Sequence, residues 1–324
     1  MYLISIYPLM YENYIFLALG FALLFWSGHV LVESSAAMAR RFNISEMIIG
    51  VTVVAFGTSA PELFVSLKAV FSGSADISIS NVIGSNIANI ALVLGFVAIV
   101  NPLNINKKKA SFDWTVMMTA SVLLYLFSIL GNNLIWWEGA IFLLLLTWYM
   151  WWMVRSVRNE SSADKKKRQQ DNEGKKKELP LIITFLLFAA SVAGLYYGSE
   201  LLVGNARIIA RGFGISERVV GVSVIAFGTS VPELATSIIA AFKKKTDISV
   251  GNIIGSNIFN ILGILGITST VKTLNVNPDF LSKDYLWMLG IALLLLLPIR
   301  RGRFTIFMGV VMVLLYITYM VSLF

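Results

Sequence analysis

Apolar runs separated by short polar segments fill almost the whole chain. An α-helix needs about 20 apolar residues to cross the hydrocarbon core of a bilayer, and runs close to that length recur along the sequence. The predicted spans cover residues 14–33, 46–70, 77–100, 113–131, 134–155, 180–203, 217–240, 247–271, 284–299 and 303–323. The pattern therefore predicts an all-α polytopic membrane protein with ten transmembrane helices.

One long hydrophilic segment interrupts this pattern at residues 158–178, which read RNESSADKKKRQQDNEGKKKE. The segment is too short and too charged to fold as a domain of its own, so it is interpreted as a linker. It divides the chain into a first five-helix half, residues 1–157, and a second five-helix half, residues 179–324.

The two halves repeat each other at an offset of 171 residues. Residues 44–67 align with 215–238 with 15 of 24 positions identical, and 76–95 align with 247–266 with 13 of 20 identical. Because each half has an odd number of predicted spans, the second copy must enter the membrane from the opposite side. This inverted-topology repeat is typical of an alternating-access transporter and is rarely needed by a channel.

Composition supports the membrane interpretation, since 57% of the residues are hydrophobic and the mean hydropathy is +0.78. The net charge of +8 comes from short basic clusters between the apolar runs, a distribution typical of cytoplasmic loops and not of a nucleic-acid-binding surface. This distribution predicts that both termini lie outside, which places the linker and most of the 26 Lys and Arg residues in the cytoplasm.

The chain has no cysteine and a single histidine, His29. Disulfides and thiolate metal sites are therefore excluded, and a multi-histidine metal centre or a Ser/His/Asp triad is not expected. We expect no cofactor and no enzymatic activity. Any functional site must use oxygen atoms.

The sequence FGTSAPEL at 56–63 and its copy FGTSVPEL at 227–234 place a proline inside an apolar span. Pro61 lacks an N–H, so the carbonyl of Gly57 loses its helical partner, and Pro232 does the same to Gly228. Unwound backbone is tolerated at membrane depth only inside protein or beside a hydrated cavity. The freed carbonyls at the end of a half-helix are predicted to face a cation.

Polar side chains around each break follow helical spacing and share one face. These stripes are Thr58, Glu62 and Ser66 with Asn81, Ser85 and Asn89, and in the second half Thr229, Glu233 and Ser237 with Asn252, Ser256 and Asn260. A carboxylate at the bilayer centre costs about 3 kcal/mol, and no Lys or Arg lies at the depth of Glu62 or Glu233. A bound cation is the natural partner, and the oxygen-only donor set favours Ca²⁺ or Na⁺.

The paired GTSxPE segments, each followed by NxIGSNIxNI, resemble the two alpha-repeats of the cation/calcium exchanger superfamily. The resemblance covers residues 44–95 and 215–266, and the layout is similar to that of prokaryotic sodium/calcium exchangers. It implies that Glu62 and Glu233 are central ligands of both ions. It further implies oxygens from Thr58, Thr229 and the carbonyls of Ala55 and Ala226, flanking sodium sites at Ser85 and Ser256, and a central position for Asn89 and Asn260.

The resemblance implies a sodium/calcium antiporter that works by alternating access at one midplane site, with spans 1 and 6 moving. An exchange of three Na⁺ for one Ca²⁺ would be electrogenic and would favour Ca²⁺ export. The short linker and compact loops predict a location in the cell membrane, and no exposed face predicts assembly, so we expect a monomer. Asn260 stands where several family members place an aspartate, which favours potassium-independent exchange. A proton/calcium exchanger of the same fold and a cation channel are the alternatives. Asn86 and Asn257 are open between ion ligation and interhelical hydrogen bonding, and His29 and Glu33 are interpreted as interface or gating-helix residues.

Overall fold

The structure is a computed structural model that describes residues 6–42, 44–72, 75–158, 179–213, 228–276 and 280–323. Its helices are named here in chain order. The first half contains α1 (Ile6–Arg41), the α2 segments (Glu46–Ile49, Gly50–Val54, Ala55–Thr58), α3 (Ala60–Phe71), the α4 segments (Ala75–Ile87, Ala88–Leu94, Gly95–Val100), α5 (Lys107–Gly131) and α6 (Trp136–Arg158). The middle segments of α2 and α4 are π-helical.

The second half has corresponding helices. They are α7 (Leu181–Gly212), α8 (Val231–Phe242), the α9 segments (Thr246–Ile258, Phe259–Leu265, Gly266–Val271), the α10 segments (Phe280–Asp284, Tyr285–Leu294), α11 (Leu296–Arg301) and α12 (Ile306–Ser322). In the described part of the chain, four two-residue strands lie between helices: β1 (Leu103–Asn104), β2 (Asn133–Leu134), β3 (Leu274–Asn275) and β4 (Arg303–Phe304).

Within the described ranges, seven helices are long and apolar enough to cross a membrane, or eight if α2 and α3, which are bent by 43° at the break between them, form one span. The helices α8 and α12 are apolar but shorter. The first part of the predicted span 217–240 lies outside the described residues, as do most of the linker 158–178 and Ala226. Large apolar side chains such as Phe16, Leu144 and Phe307 are exposed, as expected for surfaces that contact lipid.

The helices α1 and α7 are longer than the hydropathy pattern predicts, with 36 and 32 residues against predicted spans 14–33 and 180–203. A helix can continue past the hydrocarbon region into polar residues, which a hydropathy window does not detect. The two helices cross closely at small residues. A Cβ on Gly20 would lie 2.7 Å from the backbone nitrogen of Leu202, so this crossing requires glycine.

Equivalent contacts recur in the two halves. Tyr149 donates a hydrogen bond to Asp113 at 2.8 Å, and Tyr319 donates one to Asp284 at 2.8 Å. The left-handed residue that ends α5 is Asn132, and Gly302 has the same conformation after α11. These pairs indicate that the sequence repeat is also a repeat of tertiary contacts.

The short strands join the halves to each other. The strand β1 pairs antiparallel with β4, with Leu103 opposite Phe304, and β2 pairs with β3, with Leu134 opposite Leu274. At the repeat offset of 171 residues β1 falls on β3, and β2 falls within one residue of β4. Because α5 separates β1 from β2, the two strand pairs lie at opposite ends of this helix.

The apolar core has two parts. The larger one packs α4 and α9 against α5, α6, α10 and α12, and the smaller one packs α1 and α7 against α2 and α8. Polar side chains from α2, α3, α4, α8 and α9 are buried between them. The candidate site therefore lies where the two halves meet, inside the bundle.

Candidate functional site

The break in span 2 occurs where the sequence predicts it. α2 ends at Thr58, Ser59 leaves the helical conformation with φ −87° and ψ 4°, and α3 begins at Ala60 with Pro61 in its first turn. Ser230 has the same conformation, with φ −87° and ψ 1°, before Pro232 in α8. Both breaks therefore place a glutamate, Glu62 or Glu233, in the first turn of the half-helix that follows.

The carboxylates of Glu62 and Glu233 are fully buried. One oxygen of Glu233, Oε1, accepts hydrogen bonds from Ser59 at 3.0 Å and from Ser256 at 3.3 Å. The other oxygen of Glu233 and both oxygens of Glu62 have no hydrogen-bond partner in the described part of the chain. Three buried carboxylate oxygens are therefore available to a cation, and the two carboxylates also repel each other.

The hydroxyls of the predicted ligands meet in pairs across the two halves. Ser85 lies 3.2 Å from Thr229, and its counterpart Ser256 lies 3.4 Å from Thr58. Each pair joins a residue of the GTSxPE segment to the NxIGSNIxNI segment of the other half. The structure thus brings Thr58, Thr229, Ser85 and Ser256 to the helix breaks, as the stripes predict.

The Thr58 hydroxyl has one proton to donate and lies near two hydrogen-bond acceptors. Its hydroxyl lies 3.0 Å from the side-chain oxygen of Asn252 and 3.3 Å from the carbonyl of Ala55. The Ala55 carbonyl also accepts the backbone N–H of Ser59 at 3.0 Å. The Thr58 hydroxyl can donate to Asn252 instead of Ala55, which frees one lone pair of the Ala55 carbonyl, and the hydroxyl oxygen keeps its own lone pairs for a ligand.

The two predicted asparagines are buried but differ in their surroundings. The side-chain nitrogen of Asn260 donates to the oxygen of Asn86 at 3.0 Å, and the Asn260 oxygen has no partner among the residues that the structure describes. Neither polar atom of the Asn89 side chain has a hydrogen-bond partner among the described residues. The predicted ligand Ala226 falls outside the described residues, so its carbonyl is not placed.

Four further polar residues belong to this region. The sequence pattern did not indicate Ser59 and Ser230 as candidates, placed Asn252 in a polar stripe, and left Asn86 open between ion ligation and interhelical hydrogen bonding. Ser59 donates to Glu233, Asn252 contacts Thr58, and Asn86 contacts Asn260. Ser230 is buried, and its hydroxyl has no hydrogen-bond partner in the part of the chain that the structure describes. Ser59 and Ser230 are the serines of GTSxPE itself. Their identity in both repeats was the available signal, but their role depends on the non-helical turn that only the structure shows.

In the described part of the chain, no group of three or more His, Cys, Asp or Glu residues could hold a metal ion. An ion at the helix breaks would instead be held by two carboxylates with neutral hydroxyl, amide and carbonyl oxygens. This is the donor chemistry of Ca²⁺ and Na⁺ and not that of zinc or copper.

A cluster of charged residues outside the site connects α1 to the loop between α8 and α9. Lys243 contacts Glu33 and lies 3.1 Å from His29, and Lys245 lies 3.9 Å from Glu33 and 4.0 Å from Glu46. Burial lowers the pKa of the Lys245 ammonium, and the neighbouring carboxylates partly oppose that effect. The sequence did not predict this cluster, because its members are far apart along the chain.

Fold and site together define a polytopic membrane protein with an oxygen-lined acidic centre at paired helix breaks. The profile of the sodium/calcium exchanger protein family matches residues 12–155 and 183–324. The chain belongs to this family, and its resemblance to the cation/calcium exchanger superfamily is thereby confirmed.

Individual relatives agree with the family assignment. The inner membrane protein YrbG of Escherichia coli is 35% identical over 86% of this chain and 86% of its own length. The sodium/calcium exchanger MaX1 of Methanosarcina acetivorans is 30% identical over 96% of this chain and 98% of its own. The solved structure of the sodium-calcium exchanger NCX_Mj soaked with 2.5 mM Na⁺ and 10 mM Sr²⁺ superposes with a TM-score of 0.82 at 31% identity, covering 97% of this chain and 99% of that one.

Proposed function

We propose that this chain is a sodium/calcium antiporter in which Na⁺ and Ca²⁺ compete for the buried centre between the helix breaks. The observation that carries the proposal is the pair of fully buried carboxylates, Glu62 and Glu233, three of whose four oxygens have no hydrogen-bond partner among the described residues. Such charges are retained in a membrane interior only when a partner compensates them. MaX1 and NCX_Mj are both named as sodium/calcium exchangers, which supports the choice of ions.

The proposed ligands are the residues that the sequence indicates. Glu62 and Glu233 compensate the charge of the ion, and the hydroxyls of Thr58, Thr229, Ser85 and Ser256 supply neutral oxygens. The remaining proposed oxygens belong to the side chains of Asn89 and Asn260 and to the carbonyls of Ala55 and Ala226. Two negative charges balance one Ca²⁺ or two Na⁺, which gives a physical basis for exclusive occupancy.

The proposal includes ten transmembrane helices arranged as two inverted five-helix halves. The strand pairs support the inversion, because β1 and β3 are equivalent in the repeat and yet lie at opposite ends of α5. A site between inverted halves is suited to alternating access, since exchanging the conformations of the halves exposes it to the other side. In this proposal α1 and α7 move against the other helices.

The exchange is proposed to be electrogenic, independent of K⁺, and directed to Ca²⁺ export from the cytoplasm by a monomer in the cell membrane. If three Na⁺ enter per Ca²⁺, a tenfold sodium gradient supplies about 4.2 kcal/mol. A potential of 100 mV adds about 2.3 kcal/mol for the one net charge. Together these drive a calcium gradient of roughly four to five decades.

Reconstituted vesicles test the proposal directly. Uptake of ⁴⁵Ca²⁺ is measured in proteoliposomes loaded with Na⁺, K⁺ or choline, with Glu62→Gln and Glu233→Gln alongside. Asp113→Asn is the matched control, because Asp113 is also a buried carboxylate but bonds Tyr149 away from the helix breaks. We expect uptake only with internal Na⁺, loss of uptake in both glutamine variants, and uptake retained in the control.

The same vesicles separate the alternatives. An imposed potential changes the initial rate if exchange is electrogenic and leaves it unchanged if it is electroneutral. Uptake that ignores Na⁺ but follows a pH gradient would establish proton coupling instead. Single-channel currents in a planar bilayer would contradict an exchange mechanism.

A further inference from the structure

A short chain of hydrogen bonds connects the backbone of α9 to a side chain of the site through α4. The side-chain nitrogen of Asn86, on α4, lies 3.5 Å from the carbonyl of Asn257 and 3.9 Å from the sulfur of Met288. The side-chain oxygen of Asn86 accepts the nitrogen of Asn260 at 3.0 Å. All three asparagines are buried at the contact between the two halves.

The carbonyl of Asn257 determines the direction of these hydrogen bonds. A backbone carbonyl can only accept, so Asn86 must turn its nitrogen toward Asn257 and its oxygen toward Asn260. Asn260 must then offer its nitrogen to Asn86. The only remaining polar atom of Asn260 is its oxygen, which is buried and has no hydrogen-bond partner in the described part of the chain.

The equivalent residues of the other half do not form this arrangement. Asn257 corresponds to Asn86, but its side-chain nitrogen donates to the carbonyl of Ile253 in its own helix at 2.8 Å. Asn89 corresponds to Asn260, and neither of its polar atoms is hydrogen-bonded within the described residues. The orientation of Asn260 is therefore fixed in this structure, whereas that of Asn89 is not.

We propose that Asn86 is a positioning residue that holds the Asn260 amide with its oxygen directed to the transported cation. This inference rests on the proposed function, in which Asn260 supplies an oxygen ligand. Without Asn86 the amide can rotate and present its nitrogen, a donor that a cation repels. Fixing the oxygen before the ion arrives removes that ordering cost from binding.

A double-mutant cycle tests this role in the full-length protein. The half-saturating Ca²⁺ concentration for uptake into Na⁺-loaded vesicles is compared in wild type, Asn86→Leu, Asn260→Ala and the double variant. Removing an oriented hydrogen bond is expected to weaken Ca²⁺ binding about three- to tenfold in Asn86→Leu, with the maximal rate changed much less. In the Asn260→Ala background the same substitution is expected to have no further effect.

The cycle distinguishes positioning from a merely structural role. Equal weakening by Asn86→Leu in both backgrounds would overturn the proposal, because Asn86 would then act without Asn260. Asn86→Ala gives a second, smaller side chain if the leucine variant does not fold, and Ca²⁺-dependent thermal stabilisation of the purified protein gives a second readout of affinity. The expected and the contradicting results for the alanine variant and for the thermal readout are the same as for Asn86→Leu and Ca²⁺ uptake.

Failure of the proposed function has a different signature. If Asn260→Ala and Glu62→Gln both leave Ca²⁺ affinity unchanged, the site itself is misplaced. If those two variants weaken binding and Asn86→Leu does not, only the positioning role of Asn86 is wrong.

Discussion

At the scale of single residues, the two glutamates have matching sequence positions and different environments. Glu233 receives hydrogen bonds from Ser59 and Ser256, whereas neither carboxylate oxygen of Glu62 is hydrogen-bonded within the described residues. The counterpart of Ser59 is Ser230, and its buried hydroxyl is likewise unpartnered there. A buried carboxylate without hydrogen-bond partners is costly, so Glu62 is the less well compensated of the two carboxylates in the ion-free site.

The residue scale gives a prediction about stability in the absence of transported ions. Glu62→Gln removes a buried carboxyl group that lacks hydrogen-bond partners among the described residues and that Glu233 repels when both are ionised, so we expect a higher melting temperature than wild type in choline buffer with chelator. The stabilisation that Ca²⁺ gives to wild type should disappear. Thermal unfolding of the detergent-purified protein measures both effects, and a lower ion-free melting temperature would contradict the argument.

A second residue-scale prediction compares the two serines of the helix breaks. Ser59→Ala removes one hydrogen bond to the Glu233 carboxylate and should lower the free energy of unfolding of the ion-free protein by about 1–3 kcal/mol. Ser230→Ala is the matched control, because its hydroxyl donates no hydrogen bond to a described residue. Both variants are measured by denaturation in the same ion-free buffer. Equal losses in the free energy of unfolding would contradict a difference between the surroundings of the two serines.

At the scale of elements, α1 and α7 form one closely packed pair that lies beside the site. Backbone atoms meet at Gly20 and Gly198, where a Cβ on Gly198 would lie 3.0 Å from Leu24 and 3.2 Å from the carbonyl of Gly20. Ion pairs connect α1 to the loop after α8 through Glu33 and Lys243. The structure therefore couples α1 both to its counterpart α7 and to a helix that carries Glu233.

The close crossing leads to a prediction for a single added methyl group. Gly20→Ala would place a Cβ 2.7 Å from the backbone nitrogen of Leu202. Relieving this contact would require the backbone of α1 or α7 to shift. We expect a loss of about 1–3 kcal/mol in the free energy of unfolding. Gly204→Ala on α7 is the control, since no described atom lies within 4 Å of its added Cβ, and helix propensity there favours alanine.

The ion pair of α1 leads to a charge-exchange prediction. Glu33→Lys places a like charge beside Lys243 and should lower the melting temperature, while adding Lys243→Glu should recover most of the loss. The Glu33 side chain is 48% exposed, so the effect is expected to be modest, about 1 kcal/mol or less, and to shrink in high salt. If the melting temperature of the double variant is lowered by the sum of the two single-variant losses, Glu33 and Lys243 do not form a direct ion pair.

At the scale of the whole molecule, contacts that are equivalent in the repeat relate the two halves. The repeat relates the strand pair β1–β4 to the strand pair β2–β3. It also relates the hydrogen bond between Tyr149 and Asp113 to the one between Tyr319 and Asp284. The polar stripes of the two halves contact each other through Ser85 with Thr229 and Ser256 with Thr58. Because each of these contacts needs a residue from both halves, neither half encloses the candidate site alone.

The proposed orientation can be tested without removing any native cysteine, because the chain has none. Ser161→Cys in the linker should be protected from a membrane-impermeant maleimide in intact cells and should react after permeabilisation. Ser72→Cys, in the loop after α3, should react in intact cells. Labelling of Ser161→Cys from outside would reverse the proposed topology, and a retained Ca²⁺ uptake activity controls for correct folding.

Much of the architecture was predictable because membrane helices obey local rules. The apolar runs predicted where helices lie, and Pro61 predicted the break after Thr58, since a missing N–H and a fixed ring act within one turn. The ends of α1 and α7 were not predicted, because a helix leaving the bilayer keeps its hydrogen bonds in polar sequence. The count of ten spans stays a proposal, as part of the predicted span 217–240 lies outside the described residues.

The sequence by itself determined the identity of the polar stripes and their duplication, because helical spacing and a constant repeat offset are properties of the chain. Only the tertiary structure decided how those stripes meet. The pairing of Ser85 with Thr229, the bond from Ser59 to Glu233 and the bond from Asn260 to Asn86 join residues more than 140 positions apart. The physical reason is that equal sequences in two halves need not have equal surroundings, since each side chain bonds whichever partner the packed helices place within reach.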